Sequence, residues 1–328
     1  MRKTLIACIG VSTLLLAGCS SSTETTNANE ATPTSDELTT VTVGTLPVAV
    51  SAALLHGVDE GIFEDHGLDL QLQSGQAGTA LVTAVVSGSV DVAFSSPLSV
   101  VLAHDKGLPV QIVSGFSNSN PSGEDTQAVI VRKDSDIETF ADLENRTVAV
   151  NAIETQGDLS VMEAVERDGG DPSSVKFLEI PFPEMQSQLE TEAVDAVWTP
   201  DPFMGRMLNA GDEFTSIGSS YQFTIPGQPT QVVFASEEFV QQHPDVVESF
   251  QAALDETLQA VEKDPNLVRE QLPDFLDMEP AEAETVVLGG FDVVASREDL
   301  QQLADLMVKY GFIDDAPDLE TLIVEKSE

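Results

Sequence analysis

The sequence predicts an α/β protein of two similar lobes, each a mostly parallel sheet flanked by helices, with a ligand cleft between the lobes. From residue 41 onward, short segments rich in β-branched residues alternate with segments of helical spacing, which is typical of parallel βαβ units. This alternation begins again at Gln127. Two stretches also resemble each other, SGSVDVAF at 87–94 and EAVDAVW at 192–198, and each is followed by a proline. The repetition indicates two halves whose strands end at one cleft.

The first half contains four apolar or alternating segments that are typical of strands. They lie at 41–44, 68–72, 90–94 and 109–114. Apolar residues at helical spacing predict the helices between them, at 51–64, 79–87 and 98–106. Gly57 and Gly61 interrupt the first of these helices, and glycine is a weak helix former.

The second half repeats the order of strand and helix. Strands are predicted at 128–132, 147–151, 175–180, 194–198 and 231–235. Helical spacing predicts helices at 139–143, 158–167 and 184–192 and a long helix from His243 or Pro244 to about 262. The remaining segments at 265–272, 280–287 and 297–310 are also expected to be mostly helical.

Residues 1–19 have the layout of an export signal. Arg2 and Lys3 form a basic start, and a mostly apolar run follows at 5–18. This run has about the length of a signal-peptide core and is shorter than the roughly 20 residues that a transmembrane helix needs. The chain is therefore expected to be exported.

The end of this run, LAGC at 16–19, resembles the lipobox of bacterial lipoproteins, in which the cysteine carries lipid. The resemblance implies a lipidated Cys19 and a protein held at the extracytoplasmic face of the cell membrane. The alternative is an ordinary signal peptide in which Cys19 is incidental. The Ser-, Thr- and Asn-rich segment 20–40 is predicted to be a disordered tether.

Charge and cysteine content exclude several classes of function. The formal net charge is −42, from 56 acidic and 14 basic residues, so no nucleic-acid partner is expected at a basic surface. Cys8 and Cys19 are the only cysteines, and both lie in the leader. The mature chain is therefore expected to lack disulfides, thiol catalysis and cysteine-bound zinc.

The sequence shows no catalytic or nucleotide-binding signature. The patterns GxxxxGK[ST], GxGxxG, HExxH and GxSxG are absent, and none of the four histidines pairs at i, i+4 spacing. We therefore expect no enzyme activity, no cofactor and no metal site. Asp91 and Asp195 each precede an apolar strand residue and are interpreted as structural.

Loops at the carboxyl ends of predicted strands are the candidate ligand site, because ligands of open α/β sheets bind beyond those ends. The candidate ligand-binding residues are Leu46, Pro47, Ser95, Ser96, Glu154, Thr155, Gln156, Trp198 and Asp201.

Several of these residues have a second interpretation. The hydroxyls of Ser95, Ser96 and Thr155, beside helix N–H groups, suit a polar or anionic ligand end, or they are only helix caps. Glu154 favours an amine or another hydrogen-bond donor, or it is a solvated loop residue. Trp198 can stack on a flat ligand, or it packs in the core.

Five segments, taken in order, resemble one known family. They are ALLHGVDEGIFEDHGL at 53–68, SGSVDVA at 87–93, FADL with TVAV at 140–150, IPFPEM with VDAVWTPDPF at 180–203, and 239–244 with the helix that follows. Together they resemble the type II periplasmic substrate-binding proteins of ABC importers, in the branch that binds alkanesulfonates, taurine, nitrate and thiamine precursors. Asp201 stands where this family often has glutamate, and Asn145-Arg146 replaces its usual Gly-Lys.

The resemblance implies hinges near 127–129 and 232–234. Lobe one would comprise 41–126 and 233–328, and lobe two would comprise 127–232. The implied function is a monomeric, membrane-anchored solute-binding component of an ABC importer. It would close on a small polar molecule (a sulfonate, a nitrate-like ion or a heteroaromatic nitrogen compound) and deliver it to a permease with its ATPase subunit.

Two alternatives share this fold. One is a ligand-binding surface sensor without transport. The other is an enzyme similar to thiamine-precursor synthases. Such enzymes carry a cysteine-rich tract, which the mature chain lacks.

Overall fold

The computed structural model describes residues 38–324 and confirms an α/β architecture with two sheets. These described residues form one compact unit. The strands of the described residues are β1 (Thr39–Thr45), β2 (Leu68–Ser74), β3 (Val92–Ser95), β4 (Val110–Asn118), β5 (Gln127–Arg132), β6 (Thr147–Val150), β7 (Lys176–Glu179), β8 (Ala196–Pro200), β9 (Phe214–Gly218) and β10 (Pro229–Ser236).

The two sheets have the same design. The first has the order β2-β1-β3-β10-β4 and the second has the order β7-β6-β8-β5-β9. In each sheet one strand runs against its two neighbours, β10 in the first and β5 in the second. The expectation of mostly parallel sheets is therefore confirmed, with one reversed strand in each.

The helices pack around these sheets. They are α1 (Ala53–Asp59), α2 (Ile62–Asp65), α3 (Gly78–Val86), α4 (Pro97–Asp105), α5 (Gln156–Arg167), α6 (Phe182–Glu190), α7 (Phe203–Asn209), α8 (Tyr221–Thr224), α9 (Glu237–Gln242), α10 (Pro244–Lys263), α11 (Asn266–Leu276), α12 (Pro280–Ala283), α13 (Arg297–Lys309) and α14 (Leu319–Leu322). We call the first sheet with α1–α4 and α9–α14 lobe one, and the second sheet with α5–α8 lobe two.

The reversed strands are the ones that follow the passage of the chain from one sheet to the other. After β4 the chain leaves the first sheet and enters the second as β5, and it returns from α8 as β10. The boundary expected between residues 232 and 233 lies within β10, which pairs with lobe-one strands along its length. The exact division into lobes and the hinge positions stay predictions.

The two similar sequence stretches have the same structural role. The Asp91 carboxylate accepts a hydrogen bond from the Thr42 backbone N–H at 2.7 Å, and the Asp195 carboxylate accepts one from Thr147 at the same distance. Each aspartate therefore ties the start of one strand to its neighbour. Their interpretation as structural residues is confirmed.

Several element bounds differ from those predicted. Thr39 and Thr40 belong to β1, so the folded body begins inside the segment expected to be a tether. The predicted helix at 51–64 is a 3-10 turn followed by α1 and α2, because Gly61 takes a left-handed conformation with φ 73°. The helix expected at 280–287 ends at Ala283. Strand β9 and helices α7, α8, α9 and α14 were not predicted.

Four phenylalanine rings pack together in the core of lobe one. The Phe94 ring packs edge-on against Phe116 at 4.6 Å between centroids, and Phe250 contacts both Phe94 and Phe63. All four of these rings are buried, and they join α10 and α2 to the sheet.

Among residues 38–324, no helix combines the length and the apolar character that a membrane crossing needs.

Candidate functional site

A cavity lies between the two lobes and takes its walls from both. It encloses about 710 Å³ between atoms, including open solvent at its mouth. Its lining residues are Leu46, Val48, Ala49, Val50, Gly78, Ser95, Ser96, Ser99, Thr126, Gln127, Asn151, Ala152, Thr155, Gln156, Gly157, Phe182, Trp198, Pro200, Asp201, Tyr221, Thr230, Gln231 and Val287. Asp201 is the one charged side chain among these lining residues.

The lobe-one wall is formed where β3 meets α4. Ser96 is the N-cap of α4, and its hydroxyl accepts a hydrogen bond from the Leu98 N–H at 3.3 Å. The Ser95 hydroxyl is buried and has no hydrogen-bond partner among the described protein atoms. A Cβ atom on Gly78 would lie 2.0 Å from the Ser95 Oγ, so glycine allows the first turn of α3 to approach this hydroxyl.

The lobe-two wall is the start of α5. Thr155 and Asp158 form a capping box, in which the Asp158 carboxylate accepts hydrogen bonds from the backbone N–H groups of Thr155 and Glu154. Burial raises the pKa of Asp158 to about 6. The Gln156 side chain donates to the Pro229 carbonyl in lobe one at 2.8 Å, so this wall is hydrogen-bonded across the cleft.

An aromatic group closes the lobe-two side of the cavity. Trp198, in the middle of β8, packs against Phe182 and edge-on against Tyr221, with centroid distances of 6.0 and 5.9 Å. A Cβ atom on Gly157 would lie 3.1 Å from the indole ring, so α5 lies directly against it. Trp198 therefore packs in the core and lines the cavity at once.

Asp201 joins the lobes at the cavity wall. Its Oδ1 accepts from the Gly205 N–H and its Oδ2 accepts from the Val287 N–H of lobe one, both at 2.9 Å. Its backbone carbonyl accepts from the Ala49 N–H at 3.1 Å. Burial raises the pKa of Asp201 to about 6, and the nearby carboxylate of Glu282 adds to this rise.

Most of the residues expected at the site lie on this cavity. Those that line it are Leu46, Ser95, Ser96, Thr155, Gln156, Trp198 and Asp201. Pro47 and Glu154 are not among the lining residues, and the Glu154 carboxylate lies 3.6 Å from the Lys106 ammonium instead. Cys19 lies outside the described residues. Ligand contact by any of these residues stays a prediction.

Sequence reasoning missed several polar lining residues, notably Gln127, Tyr221 and Gln231. Gln127 and Gln231 each stand in an otherwise apolar, buried strand, and this is the signal that was available for them. Tyr221 starts the unpredicted helix α8, and nothing in its local pattern marks it.

No group of histidine, cysteine, aspartate and glutamate suited to hold a metal ion occurs within the part of the chain that the structure describes.

The chain is similar to known binding proteins in sequence and in fold. The family model described as NMT1/THI5 like matches residues 48–267. The formylaminopyrimidine-binding protein of Halalkalibacterium halodurans is 25% identical over 258 residues, which cover 76% of this chain and 72% of that protein. A putative ABC transporter periplasmic binding protein of Brachyspira hyodysenteriae is 24% identical over 294 residues, covering 83% and 78%.

A solved structure shows the same fold. The alkanesulfonate-binding protein of Xanthomonas axonopodis pv. citri, bound to MOPS, superposes with a TM-score of 0.75 at 15% identity and covers 88% of this chain and 99% of that one. The expected two-lobed periplasmic-binding architecture of type II is therefore confirmed.

Proposed function

Because the chain belongs to the family described as NMT1/THI5 like, we propose that it is the solute-binding component of an ABC importer. Its relatives are binding proteins of ABC transporters, and the putative periplasmic binding protein of Brachyspira hyodysenteriae is one of them. The proposed ligand is a small polar molecule, either a sulfonate, a nitrate-like ion or a heteroaromatic nitrogen compound.

The observation that carries this proposal is a cavity whose two walls belong to different lobes and are hydrogen-bonded to each other. Gln156 of lobe two donates to Pro229 of lobe one, and Asp201 of lobe two accepts from Val287 of lobe one. A ligand between these walls adds contacts that exist only when both lobes are together. Ligand binding thereby favours the closed arrangement, which a permease can distinguish by shape.

The chemistry of the cavity supports binding rather than catalysis. The lining residues include no histidine, lysine or cysteine. Asp201, the one carboxylate, already accepts backbone hydrogen bonds at both oxygens. No lining side chain is therefore arranged as an activated nucleophile with its base.

We further propose that Cys19 carries lipid and holds the mature chain at the membrane beside the permease. Replacing Cys19 with alanine should release the protein from the membrane fraction while its ligand affinity stays unchanged. A loss of affinity in Cys19→Ala would contradict this separation of anchor and receptor.

The transport proposal is tested in two steps. The mature chain is first screened against sulfonates, nitrate and heteroaromatic nitrogen compounds for thermal stabilisation and for compaction in small-angle scattering. Uptake of any solute that binds is then measured in a strain that lacks this protein. Loss of uptake is expected, and binding without any change in uptake would indicate a surface sensor instead.

A further inference from the structure

Three polar atoms of the cavity wall have no hydrogen-bond partner among the described protein atoms. They are the Ser95 hydroxyl, the Gln127 Oε1 and the Trp198 Nε1. All three residues line the cavity and are more than nine-tenths buried. Buried polar groups in folded proteins almost always have partners, and an unpaired one is costly. Because their residues line the cavity, a ligand bound there is the candidate partner for these atoms.

The orientation of the Gln127 amide is fixed by two neighbours. The Gln127 Nε2 lies 2.7 Å from the Ser219 Oγ, and this Oγ lies 2.6 Å from the Asp125 Oδ2. A serine hydroxyl has a single hydrogen, and the carboxylate is the acceptor for it. The Ser219 oxygen must therefore accept from the amide nitrogen, which leaves Gln127 Oε1 as a free acceptor.

Asp125 is itself held in place at the crossing between the lobes. Its Oδ1 accepts from the backbone N–H groups of Asn120 and Thr126, both at 2.8 Å. The chain from Asp125 through Ser219 to Gln127 is therefore anchored to the backbone. It presents one acceptor whose position and polarity do not depend on the ligand.

Trp198 presents the opposite polarity, because an indole N–H can only donate. The cavity thus offers a fixed acceptor at Gln127 and a fixed donor at Trp198. The Ser95 hydroxyl can do either. Trp198 and Tyr221 add aromatic surface to the same wall.

The charge of the cavity disfavours anions. No lysine, arginine or histidine is among the lining residues, and the one charged lining side chain is the carboxylate of Asp201. A sulfonate or nitrate ion has only hydrogen-bond acceptors. Its oxygens can accept the Trp198 N–H, but they repel the Gln127 Oε1, which is also an acceptor. It also finds no positive side chain to compensate its desolvation.

We propose that Gln127, oriented by Asp125 and Ser219, selects an uncharged planar ligand that has both an N–H donor and a hydrogen-bond acceptor. Amides, ureas and amino-substituted nitrogen heterocycles have this chemistry. The ligand N–H donates to the Gln127 Oε1, and its acceptor receives the Trp198 N–H. This inference rests on the proposed function and narrows its ligand class, away from the sulfonate and nitrate ions.

Paired probes of similar shape test the selection. Nicotinamide is compared with nicotinate, and 2-aminopyrimidine with benzenesulfonate, all at neutral pH. Trp198 is the only tryptophan of the chain, so its fluorescence reports binding at this site, with calorimetry as a second readout. At least one neutral probe should bind about tenfold or more tightly than its anionic counterpart, which gains no matching donor.

Variants test the role of Gln127 itself. Gln127→Met keeps the length of the side chain but removes the acceptor, and it should weaken binding of the neutral probe by about tenfold. Ser219→Ala frees the amide to turn, and a smaller loss of about threefold is expected. Gln111→Ala is the matched control, because this glutamine of β4 donates to the Thr321 carbonyl and is not among the residues that line the cavity.

The decisive quantity is the ratio of the affinities for nicotinamide and nicotinate, or for the other pair. Gln127→Met should lower this ratio, and Gln111→Ala should leave it unchanged. An equal loss for both probes would show that Gln127 is only structural and would overturn the inference. Tight binding of benzenesulfonate, or no binding of either neutral probe, would also overturn it. The uptake experiment in the deletion strain would still decide the proposed function.

Discussion

Two buried carboxylates lie where the lobes meet, and their environments shift their pKa values in opposite directions. Asp201 sits at the cavity wall, where burial raises its pKa to about 6 and only backbone N–H groups donate to it. Burial also acts on Glu163 of α5, but hydrogen bonds from Lys309, Tyr310 and Arg167 outweigh it and leave the pKa of Glu163 below its usual value.

The difference lies in where the chain places its few cations. Lys309 and Tyr310 of lobe one reach Glu163 of lobe two, each at 2.7 Å, at the opposite end of α5 from the cavity. We call this group the outer cluster. In the outer cluster, an ion pair connects the two lobes. At the cavity, uncharged side chains and the Asp201 carboxylate, which has no cationic partner, connect them. The cavity therefore stays free of positive charge, which suits an uncharged ligand.

The largest effect that tests this contrast is the pH dependence contributed by Asp201. Its pKa is 3.8 in the unfolded chain and about 6 in the folded one, so the folded state holds more protons between these values. The free energy of unfolding should therefore fall as pH rises through this window, by roughly 3 kcal/mol for this group. In Asp201→Asn this contribution disappears.

Urea unfolding of the parent chain and of Asp201→Asn, measured from pH 4 to pH 7, gives the difference directly. The lost hydrogen bond of the variant is the same at every pH, so only the slope of the difference reports the titration. If the free energy of unfolding changed with pH in the same way in both proteins, Asp201 would not have a raised pKa in the folded chain.

The second effect concerns the outer cluster. Lys309→Met leaves Glu163, whose side chain is 4% exposed, with Arg167 as its remaining cation. Because Lys309 is itself partly exposed, we expect a loss of about 2 kcal/mol at pH 7, less than for a fully buried pair. Lys133→Met is the matched control, because its partner Asp212 is fully exposed, and it should change stability by less than about 0.5 kcal/mol.

The pH dependence of the outer cluster should have the opposite sign to that of Asp201. The pKa values of Glu163 and Glu166 are lowered from 4.5, so their contribution is present above that value and is lost as pH falls below it. The difference between the parent chain and Lys309→Met should therefore shrink on acidification. A difference that grows at low pH would refute this account of the cluster.

The contrast between the two regions also shows what the sequence could predict. The alternation of β-branched and helical segments predicted most strands, because burial on both faces of a parallel sheet demands apolar runs. Ser95, Trp198 and Asp201 were found because they lie at or just beyond the carboxyl ends of the predicted strands. Gln127 was not, since its role depends on Asp125 and Ser219, and Ser219 is far away in sequence. The lowered pKa of Glu163 likewise depends on Lys309 of α13, and no local sequence pattern predicts that α13 lies against α5.

A smaller effect is expected from the Tyr310 hydroxyl. Its oxygen lies 2.7 Å from a carboxylate oxygen of Glu163 and of Glu166, and its single hydrogen is shared between these two acceptors. Tyr310→Phe therefore removes a hydrogen bond to charged groups but keeps the ring. We expect a loss of about 1 kcal/mol in urea unfolding, since the site is partly exposed. The losses in Tyr310→Phe and Lys309→Met should not add in the double variant, because both act on the same carboxylates. Simple additivity would show that the three side chains do not form one cluster.

The smallest effect should come from the ion pair of Lys106 and Glu154, which also crosses from lobe one to lobe two. Its atoms are 3.6 Å apart, and the two side chains are 57% and 46% exposed. Water and salt screen such a pair, so Lys106→Met should change the free energy of unfolding by less than about 0.5 kcal/mol. Glu154→Gln, measured beside it at low and at high salt, separates loss of the pair from loss of the lysine stem. If either variant cost as much as Lys309→Met, an ion pair between the lobes would stabilise the closed form whether buried or not, and the arrangement of Glu163 would have no special role.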